Sequence, residues 1–536
     1  MRISALILCR NSSSRLRGKH FKKIGDKFII EHTINNIYRH KNINEIYIAT
    51  GTYSKNKIFE KKLISKYPNL KFYFHKNENK VVERIFFLSK KIKNKNLLII
   101  SGDCPIIDFR FLNKIFEKFK LKNYDFSISI KKLQHEGILL SKKSIWKNIN
   151  LNCNNEKLQE HPSLYLRNNF QKYKYMTIPY ENKDLNKNIR MSVDTQSDLD
   201  FFNLIFVICK KKNIEFNYEN LIANKKYKFI NSHVHQKNIN FEVKKKIYII
   251  TTKNKFLGLG HYKRSLVLKR EISERLSVIP KIILVTNEYD LAKLKKKLIT
   301  NEKKLNVIYI FDIPKKFFTK IQKVFTSQPK IIIDNFAKNE KDVSIIPALR
   351  RPKYSKLSGS KFLILDREII FRYLIWKICR PKYQYDFVIL TGGTFQMNKT
   401  IYSNLIKLSK NKKLVFVLGP FVKSSIKDSL KKNKIDFFIN PTNYFDIILN
   451  SKGVISRFGN SVHEAIALQK KPTIFLYNDD QNRKKDINYL INQGFANHFS
   501  YQKLIKLSKK NNHKKLKNMS FGAKNVISII EHYYKK

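Results

Sequence analysis

Residues 3–19, ISALILCRNSSSRLRGK, carry the reading on which the fold turns. ISALILC (3–9) is an apolar run of strand length, and Arg10 follows it at once. It has neither the length of a membrane span nor the small-residue cleavage site of a secretory leader, so it reads as a first buried β-strand. The loop after it carries Ser12, Ser13 and Ser14 among Arg10, Arg15, Arg17 and Lys19. Small side chains let backbone N–H groups approach a phosphate, and cations neutralise it. A solvated serine–arginine loop would look the same in isolation.

Working outward, the same kind of apolar run recurs as EIYIAT (45–50), KFYFH (71–75) and LLIISG (97–102). Helix-like segments lie between, among them FIIEHTINNIYRH (28–40) and VVERIFFLSKKI (81–92). Strand–helix alternation predicts βαβ units on a mostly parallel sheet, with ligands at the carboxyl ends of the strands. The pattern loosens over 222–246 and restarts with IYIITT (247–252), KIILVT (281–286), LNVIYIF (305–311), KIIIDN (330–335) and KFLILD (361–366). A third block holds DFVILTGG (386–393), KLVFVLG (413–419), DFFIN (436–440), GVIS (453–456) and PTIFLY (472–477). The expected organisation is α/β throughout: a domain over 1–225, a linker over 226–245, and two halves over 246–375 and 376–536 with a break near 372–385. No short-period repeat suggests a solenoid.

Composition narrows the partners. The formal charge is +67, from 108 Lys+Arg against 41 Asp+Glu, but lysine is spread from end to end and forms no single basic patch. That distribution favours anionic small molecules over specific nucleic-acid binding, which remains the reading of a different class. Hydrophobic residues at 42% suffice for packed cores. Cys9, Cys104, Cys153, Cys209 and Cys379 are odd in number, far apart and without a C-x-x-C, which argues against a disulfide framework or a zinc site and for a reducing cytoplasm. The sequence has no apolar run long enough to span a bilayer. Oligomeric state is not legible.

Two carboxylates join the first loop. Asp103 follows a strand and a glycine in ISGDCPIID, and Asp194 lies in RMSVDTQSDLDF, four residues before Asp198. Carboxylates at strand ends beside a cationic loop suit a nucleoside triphosphate with its Mg²⁺. Helix capping by DTQSD is the competing role for Asp194 and Asp198. Taken together, CRNSSSRLRGK, GDCPIID and VDTQSD resemble the cytidylyltransferases that activate acidic sugars, the family of the CMP-sialic acid and CMP-KDO synthetases and the spore-coat polysaccharide synthesis proteins. The resemblance spans residues 1–205. It implies a Rossmann-like, GT-A-like nucleotidyltransferase domain using CTP and Mg²⁺. In it Arg10, Ser13, Arg15 and Lys19 would hold nucleotide and phosphates, Arg15 and Lys19 acting in the transfer, and Asp103 and Asp194 would ligate the metal. Glu160-His161 in QEHPSLYLR resembles the family's E-H that precedes its sugar-facing segment. Ser12 stands where glycine is usual and Arg17 where proline is usual.

In the second region FLGLGHYKRSLVL (256–268) places His261 between a glycine turn and a helix start. A helix N-terminus disfavours imidazolium, so the ring is either a neutral proton acceptor or an ordinary cap. TGGT (391–394) follows a strand and opens a phosphate-facing turn. Glu464, near a helix start after Gly459-Asn-Ser461, is placed to meet ribose hydroxyls or to sit as a surface charge; His463 beside it reads as solvated. Asp480-Gln481 follows the next strand and can reach the same cleft. GLGHYKRSLVL, KIIIDNFA, FLILD, DFVILTGGT, GNSVHEAIALQKKP and DDQ together resemble the nucleotide-sugar hydrolase of pseudaminic acid synthesis. That enzyme cleaves UDP-2,4-diacetamido-2,4,6-trideoxy-β-L-altropyranose and is built as a two-domain GT-B-like module. The resemblance covers residues 246–500 and implies His261 as the base on water. Gly258 and Gly260 would form its turn, Gly392 and Gly393 would border the phosphates, and Gly459, Ser461, Glu464 and Gln481 would bind UDP or sugar, with no cofactor. TTKNKF (251–256) lacks the acidic residue usual in the family, Asp366-Arg367-Glu368 replaces D-D-E, and Phe395 follows GGT where Asp is common. The expectation is a bifunctional enzyme of nonulosonic acid activation, with CTP, a nonulosonic acid and a UDP-sugar as small-molecule partners and a separate phosphoenolpyruvate-dependent synthase in the pathway. A fused GT-B glycosyltransferase, or a half that binds without hydrolysing, is the alternative.

Overall fold

The computed structural model describes the chain apart from residues 1, 14–15, 129–137, 178–190, 224–244, 254, 256–257, 277, 302–306, 323–329, 337–341, 352–355, 394, 396, 476–482, 507–521 and 536. Arg15, Gln481 with Asp480, and all of the expected linker 226–245 except Lys245 lie outside the described residues. The chain divides into two compact units, Met1–His235 and Gln236–Lys536. Among the described residues no helix is long and apolar enough to cross a membrane.

The first unit is a seven-stranded sheet. Its strands are β1 (Ile3–Leu8), β4 (Ile43–Thr50), β5 (Leu70–Phe74), β6 (Asn96–Ser101), β7 (Phe126–Ile128), β8 (Ile138–Lys142) and β9 (Tyr175–Thr177), in the order β5-β4-β1-β6-β8-β7-β9. A small antiparallel hairpin of β2 (Lys23–Ile24) and β3 (Lys27–Phe28) stands apart. β5, β4, β1 and β6 run parallel, but β8 is antiparallel to both β6 and β7. The sheet is therefore Rossmann-like on one side and mixed on the other. Alternation along the strands fills both faces. Ile3, Ala5 and Ile7 pack beneath the helix Ile29–Tyr38, while Leu6, Ile99 and Leu139 pack beneath the helices Val81–Lys91 and Ile145–Asn152.

The second unit holds two all-parallel sheets. One contains β10 (Lys246–Thr251), β11 (Lys281–Leu284), β12 (Val307–Asp312), β13 (Lys330–Ile333) and β14 (Val343–Ile345), ordered β11-β10-β12-β13-β14. The other contains β15 (Tyr385–Leu390), β16 (Leu414–Leu418), β17 (Asp436–Ile439), β18 (Ser451–Arg457), β19 (Pro472–Phe475) and β20 (Asn497–His498), ordered β17-β16-β15-β18-β19-β20.

Three sequence expectations change here. KFLILD (361–366) forms no strand: a short 3-10 turn at Ser360–Phe362 leads into an irregular segment. Leu363 and Leu365 enter the core of the second sheet, whereas Ile364 enters the core of the first. A crossing segment buried on both sides carries the same apolar alternation as a strand. The expected break near 372–385 is largely spanned by the helix Glu368–Cys379, whose Ile369 and Trp376 pack on the second sheet. The helix Gly522–Lys535, expected with the 376–536 half, places Val526, Ile527 and Ile530 in the core of the first sheet instead. Asp366 and Arg367 of the DRE sequence also hold this crossing. Arg270 pairs with Asp366 at 2.9 Å, and Arg367 reaches Glu271 and Glu274 at 2.7 Å.

Candidate functional sites at three strand-order reversals

Open parallel sheets offer a crevice where the strand order reverses, because neighbouring connections leave to opposite sides. In the first unit that point lies between β1 and β6. Gly18 adopts a left-handed φ of 60°, which turns the chain after β1 so that Lys19 comes back over the strand ends. Asp103 follows β6 and Asp194 precedes the helix Gln196–Lys211. The Lys19 ammonium meets both: it pairs with Asp103 Oδ2 and lies 3.1 Å from Asp194 Oδ1. Burial works against the ammonium, but the two carboxylates outweigh it and raise the Lys19 pKa. Asp103 Oδ1 accepts from Ser101 Oγ at 2.6 Å, and its carbonyl accepts from Val193 N–H at 2.8 Å, which ties the two acidic segments together.

Asp198 serves as a cap. Its Oδ2 accepts from the backbone N–H groups of Asp194 and Thr195, and Thr195 Oγ1 accepts from Asp198 N–H at 3.2 Å. This capping box starts the helix and holds Asp194 in place. Arg10 donates to Glu160 Oε1 at 2.6 Å and to Asn79 Oδ1 at 2.7 Å, so the guanidinium joins the β1 end to the E-H segment. Ser12 Oγ donates to Glu78, whose other oxygen accepts from Thr52 and Asn56. Ser13 is half-buried and its N–H bonds to the Asn11 carbonyl. Among the described residues no three His, Cys, Asp or Glu side chains are arranged to hold a metal. Two carboxylates are nonetheless the number Mg²⁺ takes when substrate phosphates and water complete its shell. Asp103 and Asp194, sharing one cation between facing oxygens, fit a divalent ion of that kind.

In the second unit the first reversal lies between β10 and β12. His261, in the first turn of the helix Gly260–Leu276, follows β10; Asp312 is the last residue of β12. His261 Nδ1 lies 2.7 Å from Asp312 Oδ1, and Asp312 is fully buried. Arg264, one helical turn on from His261, bonds the same carboxylate through Nε at 2.9 Å and reaches Asp334 Oδ2 at 3.4 Å. Burial pushes the Asp312 carboxyl up, but the Arg264 guanidinium overrides it and lowers the pKa to about 2. An acidic partner for His261 therefore comes from β12, the neighbour of β10 in the sheet. Its signal was in the sequence, as the carboxylate that ends VIYIFD (307–312).

The second sheet reverses between β15 and β18. Gly392 and Gly393 follow β15, and Gly459, Asn460 and Ser461 follow β18. Gly393 packs on the turn of the first sheet: a Cβ there would lie 2.6 Å from Leu259 N and 2.8 Å from Gly258 Cα. Gly258 and Gly392 take left-handed φ of 71° and 75°. Asn460 Nδ2 donates to the Gly260 carbonyl at 3.2 Å. The glycine turns of both sheets and the start of the helix Asn460–Ala467 thus meet at one place, beside His261. A Gly393→Ala variant forces backbone apart and is expected to lose about 1–3 kcal/mol, read as a lowered unfolding midpoint.

Ser461 Oγ lies 3.0 Å from Ser456 Oγ. Glu464 accepts from Tyr444 Oη at 2.9 Å, and burial raises its pKa while Lys263 opposes the rise. His463, expected as solvated, is 8% exposed and packs edge-on to Phe458. Burial lowers its pKa to about 4, with Asp486 and Asp334 opposing the fall and Arg483 and Arg264 adding to it. An unfolded chain would protonate this histidine near 6.5, so it contributes stability at neutral pH that is lost as pH falls from 6.5 toward 4. A His463→Gln variant is expected to show a shallower drop in thermal midpoint across that window.

Comparison with known proteins bears on the first unit. The family model described as Cytidylyltransferase matches residues 4–246. The uncharacterized protein MJ1063 of Methanocaldococcus jannaschii is 26% identical over 261 residues, which cover 46% of this chain and 98% of that protein. A solved cytidylyltransferase from Leptospira borgpetersenii is 20% identical, covering 43% of this chain and 97% of that one at a TM-score of 0.38. A CMP:2-keto-3-deoxy-manno-octonic acid synthetase solved with CTP is 15% identical, covering 39% of this chain and 99% of that one at a TM-score of 0.32.

Proposed function

We propose that the first unit transfers a cytidylyl group from CTP to a hydroxyl of an acidic nine-carbon sugar, a reading supported by the match of residues 4–246 to the Cytidylyltransferase family model. The observation that carries this is the Lys19 ammonium held between Asp103 and Asp194 at the β1–β6 reversal. In the transfer, the sugar hydroxyl releases its proton to water as its oxygen bonds the α-phosphorus, the bond from that phosphorus to the β-phosphate oxygen breaks, and pyrophosphate leaves. Negative charge spreads over phosphate oxygens throughout, so catalysis needs cations more than a protein nucleophile. Lys19 supplies a permanent charge at the strand ends. Arg10 is tethered by Glu160 and Asn79, which orients its guanidinium without a further search. A divalent ion on Asp103 and Asp194, Mg²⁺ in this reading, would neutralise the phosphates and align them.

For the second unit the proposed reaction is cleavage of a UDP-sugar by water at a GT-B-like cleft. The arrangement of His261 and Asp312 beside the glycine turns of both parallel sheets supports it. The two steps would not be consecutive: a condensation with phosphoenolpyruvate, on a separate enzyme, would stand between them. The test is direct. The chain is incubated with CTP, Mg²⁺ and a panel of nonulosonic acids, and separately with the UDP-diacetamido-trideoxy-sugar, with and without sugar acceptors. Pyrophosphate release in the first and UDP release with water alone in the second are expected. No pyrophosphate with any acid sinks the first half of the reading. UDP release only with an acceptor turns the second unit into a glycosyltransferase.

A further inference from the structure

We propose that Asp312 is the positioning residue that holds His261 in its Nδ1–H tautomer, leaving Nε2 as the proton acceptor for the attacking water. The inference deepens the UDP-sugar reading of the second unit and rests on it. Nothing in the sequence near His261 announces this partner, since the two residues lie 51 positions apart.

The argument starts from what each atom can do. Asp312 is fully buried and its carboxylate receives Arg264 at both oxygens. Held ionised in this way, it can only accept hydrogen bonds. His261 Nδ1 lies 2.7 Å from Oδ1. With a lone pair on Nδ1 the two atoms would repel at that distance, so the proton belongs on Nδ1. Arg264 Nη2 lies 3.1 Å from the same ring nitrogen and offers the competing arrangement, in which Nδ1 accepts from the guanidinium. The carboxylate decides between them, because it bonds both groups and cannot give a proton to either. Asp334 Oδ2, 3.4 Å from Arg264, draws the guanidinium further toward carboxylates.

The hydrogen-bond arrangement also suits a base. Arg264 offsets the Asp312 charge, and the carboxylate keeps one oxygen on the ring to orient it. When Nε2 takes the proton of water, the water oxygen bonds the anomeric carbon, the bond from that carbon to the β-phosphate oxygen breaks, and UDP leaves with the electron pair. The imidazolium formed is then paired with Asp312. The ring is partly exposed, its side chain at 21%, while Asp312 at 0% is shielded from solvent exchange. The histidine side of the pair is open to solvent and the carboxylate side is closed.

An Asp312→Asn variant tests this by a chemical inversion. Arg264 needs an acceptor, so the new carboxamide oxygen turns to the guanidinium and its NH₂ faces His261. Nδ1 must then accept, and the proton moves to Nε2. ¹⁵N NMR of histidine-labelled protein, with His261 identified by difference from a His261→Gln sample, is expected to show Nδ1–H in the parent and Nε2–H in the variant. With the UDP-diacetamido-trideoxy-sugar as probe, kcat is expected to fall by about 10²–10⁴-fold while KM stays within about threefold and pyrophosphate release by the first unit is unchanged. Nε2–H in the parent overturns the proposal, as does an inverted tautomer with kcat retained. If the parent shows Nδ1–H and the variant inverts but neither releases UDP, the dyad stands and the UDP-sugar reading falls.

Discussion

Replacing Asp103 by asparagine lowers pyrophosphate release from CTP by about 10²–10³-fold, the usual loss when one preorganised electrostatic group is removed from a charged transition state. The variant keeps the shape of the side chain and the bond from Ser101 Oγ, so folding is expected to be retained. What changes is the charge that faces Lys19. In the parent the ammonium is shared by two carboxylates, and burial of the lysine is tolerated only because both are present. With Asp103 neutral, Lys19 is left with Asp194 alone, and a divalent ion bound as proposed would lose one of two charged oxygen ligands. Metal affinity, followed by titration with Mn²⁺ and CTP, should weaken together with turnover. An Asp103→Asn protein that releases pyrophosphate within twofold of the parent would remove the strand-end carboxylate from the chemistry.

The second large effect is expected at His261. A His261→Gln variant should lose about 10²–10⁴-fold in UDP release, the range for removing a general base. Its glutamine can still bond Asp312, so the helix start and the cleft remain intact. Cytidylyl transfer provides the internal control, since Lys19, Asp103 and Asp194 belong to the other unit. UDP release at the parent rate would return His261 to an ordinary first-turn residue.

Much of the frame was legible because it rests on local physics. Runs such as ISALILC and IYIITT are apolar on both faces, which is what a strand in a doubly covered parallel sheet requires, and they became β1 and β10. Capping was legible too: DTQSD carries its own helix start, and Thr195 and Asp198 form it. KFLILD failed for the same reason that ISALILC succeeded, because periodicity reports burial and not hydrogen bonding. Residues 363–365 are buried between two cores without strand pairing, and only the packing tells the difference.

The sequence by itself determined the mostly parallel α/β layout, the glycine turns and the residue types able to serve phosphate chemistry: Lys19, Asp103, Asp194 and His261. Their spacing along the chain reflects strand-end positions, and strand ends follow from local apolar pattern. Only the tertiary structure decided which charges face one another. Lys19 between Asp103 and Asp194, Asp312 behind His261, and Arg264 shared with Asp334 are meetings between separate strands and helices. The same step reversed the reading of His463, which read from the sequence as a solvated helix residue and which the packing buried. Strand order does this: a sheet that reverses direction brings distant chain segments to one crevice, and no local pattern encodes which segments those are.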